Sequence, residues 1–241
     1  MRRYLYSLAG MFLLIFSFRG FAQPSESGVQ PAFSDTEQHT RHAILREFHA
    51  FRQAIEGERL YWEAQASKRP VNKNLLYKLF RHTKKNLLKE YQAYSRWSDL
   101  PENGAFDCVT GSMVYAYLLG KIGVPYEIME APHHVFVKVH LGNEEIVLES
   151  TDENGFLEFE QDIAEHARFY AEGGQFTGIS FVQLIALYYY NQAAHAFNRG
   201  QWEVARRYIH EADLLYSSAR IRELKAELES RAQWMVAQFS F

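Results

Sequence analysis

Cysteine is almost absent from this sequence: Cys108 is the one thiol in 241 residues. A single cysteine cannot form a disulfide within the chain, and it cannot build a zinc site from several thiolates. The sequence also has no excess of basic residues: it contains 26 Lys and Arg residues and 29 Asp and Glu residues, which gives a formal net charge of -3. We therefore expect no large basic face for nucleic acid. A hydrophobic fraction of 47% excludes a disordered chain.

The start of the chain lacks a hydrophobic run of the ~20 residues that a membrane-spanning helix needs. A shorter apolar run at residues 8–18 follows Arg2 and Arg3, and small residues at positions 20 and 22 precede Gln23. This pattern is typical of a secretory signal peptide, here residues 1–22. It predicts a periplasmic or secreted protein with no membrane span after cleavage, and an uncleaved membrane anchor is the alternative. Residues 23–33, which contain two prolines and a glycine, are predicted to be a flexible leader.

The hydrophobic pattern predicts helices at both ends of the remaining chain and a short sheet between them. Asn143 follows Gly142 as a hairpin turn pair between the last two predicted strands. The fold class is therefore α+β. We predict helices at about 35–69, 72–97, 108–122, 179–198, 202–216 and 220–239, and strands at 126–130, 134–141 and 144–151.

Cys108 is predicted to lie in the first turn of a helix, because Asp107 precedes it as a cap and Gly123 ends the run. The unpaired amides and the dipole at a helix N-terminus favour a thiolate over a thiol. The position therefore suits a nucleophile with a lowered pKa. A buried, unreactive cysteine is the alternative.

His134 and Glu149 are the candidate partners of Cys108. Side chains alternate along a strand, so His134 lies on a mixed polar face, whereas Val135, Val137 and Val139 lie on an apolar one. Glu149 comes near the end of the next strand, where a carboxylate could accept a hydrogen bond from the imidazole. Asp152 is the alternative to Glu149 as the acid that accepts this hydrogen bond.

The order of these elements resembles a transglutaminase-like domain, a member of the papain-like cysteine superfamily. Gly123 and Pro125 follow Cys108 by 15 and 17 residues, and the motifs around His134 and Glu149 come next. The resemblance covers about residues 103–155. It implies that Cys108 is the nucleophile, His134 the general base and acid, and Glu149 the orienting acid, in a place where the family usually has Asp.

The C-terminal helices resemble a tetratricopeptide-like hairpin over residues 186–219. The small residues Ala193, Gly200, Ala205 and Ala212 and the aromatic Tyr189 carry this resemblance. We therefore predict a transglutaminase-like domain with N-terminal helices at residues 34–175 and a tetratricopeptide-like helical region at residues 176–241.

Together these features predict a thiol enzyme that acts on peptide-type amides through Cys108, His134 and Glu149, with hydrolysis favoured over transamidation. Its partner would be a protein or peptide substrate. The alternative is a non-catalytic protein-interaction module with the same two parts.

No cofactor or metal is expected, because motifs for dinucleotides, phosphate loops and zinc hydrolases are missing. His39 with His42, or His133 with His134 and His140, lack suitable ligand partners at the usual spacing. The basic residues Lys84, Lys85 and Lys89 form either a solvated helix face or a contact for an anionic partner.

Overall fold

The fold was analysed in a computed structural model, which describes residues 45, 48–170 and 175–238, with side chains to residue 231. The predicted signal peptide, the leader and the start of the first helix lie outside these residues. Two helices come first, α1 (Glu56–Lys68) and α2 (Lys73–Asn86), and residues 48–54 are helical as well. Asn72 caps α2, because its side chain accepts a hydrogen bond from the Leu75 N–H. The prediction that this helix extends to residue 97 is wrong.

A short segment separates α2 from the central helix α4 (Cys108–Lys121). It contains the two-residue strands β1 (Glu90–Tyr91) and β2 (Ala105–Phe106), which pair in parallel, and the one-turn helix α3 (Asp99–Glu102) between them. Helix α4 is buried from residue 109 to residue 119, so it forms the centre of the core.

A five-stranded antiparallel sheet packs against α4, with the strand order β6-β5-β4-β3-β7. The valine face of β4 is the core face, since Val135, Val137 and Val139 are each fully buried. The α+β class is thus confirmed. The strands are β3 (Tyr126–Ala131), β4 (His134–Leu141), β5 (Glu144–Leu148), β6 (Phe156–Leu157) and β7 (Thr177–Ile179).

Four helices complete the fold: α5 (Glu160–Tyr170), α6 (Phe181–Asn198), α7 (Trp202–Leu215) and α8 (Ala219–Gln238). Ala193, Ala205 and Ala212 are fully buried, which allows α6 and α7 to approach closely across the turn at Gly200. Apolar residues of α6 belong to the same core cluster as those of α4. In the described part of the chain, no helix combines the length and apolar character needed to cross a membrane.

Candidate functional site

Cys108 occupies the first position of α4, as predicted. Asp107 caps the helix: its side chain accepts from the Thr110 N–H at 2.8 Å, and the Thr110 hydroxyl accepts from the Asp107 N–H. Asn191 of α6 donates to the other Asp107 oxygen at 2.9 Å. The helix start that carries Cys108 is therefore held by its own capping box and by a second helix.

The pairing of β4 with β5 brings His134 and Glu149 together. Val137 lies opposite Leu148, so the start of β4 adjoins the end of β5. In this register His134 and Glu149 are diagonal neighbours on one face of the sheet. The His134 Nε2 lies 2.5 Å from the Glu149 Oε2, and both residues are buried.

Glu149 lies beyond the end of β5, which stops at Leu148, so the predicted extension of this strand to residue 151 is wrong. The Glu149 N–H donates instead to the Gly155 carbonyl at 2.7 Å, which closes a turn. Within this turn the backbone N–H and the hydroxyl of Thr151 donate to the Glu149 Oε1 at 2.8 and 2.6 Å. The turn thereby fixes one oxygen of the carboxylate and leaves Oε2 for the imidazole.

His166 of α5 is a part of the site that the sequence did not reveal. Its Nε2 lies 2.9 Å from the same Glu149 Oε2 that faces His134. Tyr170, one helical turn further on, stacks on the His134 ring with a centroid distance of 3.8 Å. Helix α5 therefore covers the His134 face of the sheet.

The bonds to Glu149 determine which imidazole nitrogen is available for chemistry. Burial alone would raise the pKa of Glu149, but the hydrogen bonds from His134, His166 and Thr151 lower it to about 2. An ionised carboxylate only accepts hydrogen bonds, so the Nε2 of each histidine carries the hydrogen. The Nδ1 of His134 is then left to accept a proton.

The Cys108 sulfur lies at the same end of β4. The Val135 backbone N–H acts to lower the pKa of the Cys108 thiol, which places Cys108 near the start of β4. Cys108 also lines a cavity of about 220 Å³. We call this cavity the Cys108 groove; its other walls include Tyr91, Tyr94, His133, Tyr190, Asn191 and Arg220.

The pKa of the Cys108 thiol shifts in the direction opposite to the sequence-based expectation. Burial raises it to about 12, and the negative charges of Asp107 and Glu149 act in the same direction. The Val135 N–H acts against this rise. The net shift is upward, which favours the neutral thiol over the thiolate at rest.

Three residues of the site could also hold a divalent metal ion. The ligand atoms of His134, Glu149 and His166 all lie within 4.8 Å of one another. Imidazole nitrogens and a carboxylate oxygen are common zinc ligands.

Comparison of the whole chain with protein-family models, with curated proteins and with solved structures found no match in any of the three. The site must accordingly be interpreted from its own geometry.

Proposed function

We propose that this protein is a thiol enzyme that acts on peptide-type amides, with Cys108 as nucleophile, His134 as general base and acid, and Glu149 as the orienting acid. The observation that carries the proposal is the buried 2.5 Å contact between His134 and Glu149. This pair lies at the start of β4, near the Cys108 thiol, whose pKa the Val135 N–H acts to lower. A nucleophile, a base and a group that orients the base make up the usual arrangement for covalent catalysis.

The reaction follows from the protonation states. Because the thiol is neutral at rest, its proton moves to the His134 Nδ1 as the sulfur attacks the amide carbonyl carbon. The carbonyl electron pair moves onto oxygen and returns as the C–N bond breaks, and His134 gives its proton to the leaving amine. Water then attacks the thioester, with His134 again as the base, and releases the acid and the free thiol. An amine in place of water would give transamidation.

The start of α4 would stabilise the negative oxygen formed during attack. Asp107 accepts a hydrogen bond from the backbone N–H of Thr110, so this amide is already engaged. The backbone N–H of Cys108 is the donor that we assign to the oxyanion.

The transglutaminase-like assignment and the location outside the cytoplasm remain part of the proposal. The sequence motifs around Cys108, His134 and Glu149 support the first, and residues 1–22 support the second. The tetratricopeptide-like hairpin would then be a helical extension packed on the catalytic core.

The decisive experiment uses a peptide library and mass spectrometry. Wild type is expected to hydrolyse a subset of peptides, whereas Cys108→Ala and His134→Gln are expected to be inactive and still folded. Inactivity of the wild type would favour the non-catalytic interaction module, and full activity of Cys108→Ala would exclude Cys108 as the nucleophile.

A metal-dependent site is the second candidate, and the cluster of His134, Glu149 and His166 favours it. The two candidates differ in their response to chelation. The thiol enzyme keeps its activity in EDTA and loses it with Cys108→Ala, whereas a metal enzyme loses activity in EDTA and regains it with Zn²⁺.

A further inference from the structure

A second cavity, of about 660 Å³, lies along α1 and α2 and carries a strong positive charge. Among the lining residues that the structure describes, six are cations and one, Glu153, is an acid, although the whole chain has a formal net charge of -3. We call this cavity the basic groove; its cations are Arg69, Lys78, Arg81, Lys84, Lys85 and Lys89.

These cations are not neutralised within the part of the chain that the structure describes. None of the six forms an ion pair with a carboxylate there, although many other pairs exist. The bonds that three of them do make go to neutral oxygens: Arg81 donates to the Glu153 carbonyl, Lys84 to the Ser150 carbonyl and Arg69 to the Gln65 amide. The groove therefore has several positive charges available for an anionic ligand.

The basic groove and the Cys108 groove share no lining residue, but side-chain contacts connect them. The Lys84 Nζ lies 4.9 Å from the centre of the Phe106 ring, and this ring contacts Tyr91 edge-on at 6.3 Å. Tyr91 lines the Cys108 groove, and Lys89, two residues earlier, lines the basic groove. The two cavities thus lie on either side of the short β1–β2 pair.

The spacing of the cations fits an extended chain better than a single small anion. Lys78 and Lys85 lie seven residues apart on α2, which is about 10 Å along a helix. An extended peptide covers this distance with three or four residues, at about 3.3 Å each. Tyr61 and Tyr77 are half-exposed walls of the groove that can contact the apolar parts of such a chain.

We propose that the basic groove binds an acidic segment of the peptide substrate, close to the amide that Cys108 attacks. This inference rests on the proposed function, since it assigns a substrate class to that site. It predicts a preference for peptides with several Asp or Glu residues on one side of the reacting bond.

A binding measurement tests the inference without any need for turnover. The probe is a fluorescein-labelled peptide with four consecutive glutamates, compared by anisotropy with the same peptide carrying four glutamines. The full chain should bind the acidic peptide at least tenfold more tightly. The double variant Lys78→Glu with Lys85→Glu should lose this preference, because both side chains are exposed cations of the groove.

The matched control is Arg199→Glu with Arg207→Glu, an equal charge change at two exposed residues remote in sequence from α2. It should bind like wild type. Equal binding of the two peptides, equal losses in both double variants, or complete displacement by inorganic triphosphate at the same total charge would overturn the inference. Turnover by wild type that shows no preference for acidic peptides would overturn it as well, while leaving the thiol chemistry intact.

Discussion

At the residue scale, Glu149 is the centre of the site. Its Oε1 accepts two hydrogen bonds from Thr151, and its Oε2 faces both His134 and His166. All four lone-pair positions of the carboxylate are therefore used, which is the condition under which a buried charge is tolerated. The geometry of His134 depends on this one carboxylate.

The first prediction concerns how much the ionised Glu149 carboxylate stabilises the fold as the pH is lowered. Its pKa in the folded protein is about 2, below the ordinary value of 4.5, so its stabilising contribution is complete above pH 4.5. That contribution is lost as the pH falls from 4.5 towards 2, and it amounts to on the order of 3 kcal/mol. Urea unfolding of wild type and Glu149→Gln at several pH values measures it. In Glu149→Gln the free energy of unfolding should not show this fall between pH 4.5 and 2. If the free energies of the two proteins changed with pH in parallel, the low pKa assigned to Glu149 would be contradicted.

The second prediction concerns His166. Replacing it by alanine removes one of the two imidazoles that hold the Glu149 Oε2, so His134 is oriented less well. We expect a lower kcat and a loss of about 1–3 kcal/mol in the free energy of unfolding. The control is His140→Ala, a half-buried histidine of the same sheet that lies near the exposed carboxylates of Glu127 and Glu145. Equal effects of the two substitutions would show that His166 has no special role.

At the element scale, the site depends on how closely α4 approaches the turn that carries Glu149. Gly111, one turn after Cys108, faces Ser150: a Cβ at Gly111 would lie 2.6 Å from the Ser150 Cβ and Oγ. This separation is shorter than any ordinary contact, so a side chain there must push the turn away. Because glycine has no Cβ, Gly111 allows α4 to lie this close to the turn that carries Glu149.

The third prediction follows from this contact. Gly111→Ala should reduce activity and destabilise the fold, because the turn around Glu149 must shift. Gly120→Ala is the control on the same helix, since its Cβ would meet Tyr126 at an ordinary 3.6 Å. In the control, stability should be unchanged or slightly higher, because alanine favours a helix more than glycine does. Activity assays and thermal unfolding of both variants test the contrast.

The sequence predicted correctly those helices, strands and caps that are determined by residues close together along the chain. The Asp107 cap, the helix that begins at Cys108 and strand β4 were predicted correctly, because capping and alternation are short-range patterns. Strand β7 was missed, since its three residues are defined only by pairing with β3. His166 was missed for the same reason: the packing of α5, 17 residues beyond Glu149, brings it to the carboxylate.

The thiol pKa shows a second limit of sequence reasoning. The helix start at Cys108 could be predicted, and it favours a thiolate. The burial of the sulfur and the nearby charge of Glu149 are tertiary properties, and they decide the direction of the shift. The sequence therefore identified the candidate nucleophile without its resting protonation state.

At the scale of the whole molecule, one hydrophobic core joins the sheet, α4 and the C-terminal helices. Trp97 stacks on Tyr188 of α6 at a centroid distance of 4.1 Å, and Leu184 and Leu187 of α6 are fully buried. Arg220 of α8 pairs with Glu130 of β3 at 2.8 Å. Helices from the C-terminal third therefore complete the part of the molecule that holds Cys108.

The fourth prediction is a single cooperative unfolding transition. The core cluster includes residues of α4, α6 and α7. The region that contains the sheet and α4 and the C-terminal helical region should therefore unfold together. Thermal unfolding followed by far-UV circular dichroism and by near-UV circular dichroism should give coincident curves. Two separated transitions would mean that residues 34–175 and 176–241 unfold as independent domains.

The most direct measurement of the central claim is acylation of the single thiol by an activated ester, p-nitrophenyl acetate. Wild type should release about one equivalent of p-nitrophenol in a burst and carry an acetyl group on Cys108 by intact-mass spectrometry. His134→Gln should form this adduct at least tenfold more slowly, because the base is missing, and Cys108→Ala should form none. Equal acylation rates in wild type and His134→Gln, or no adduct on Cys108, would contradict the account.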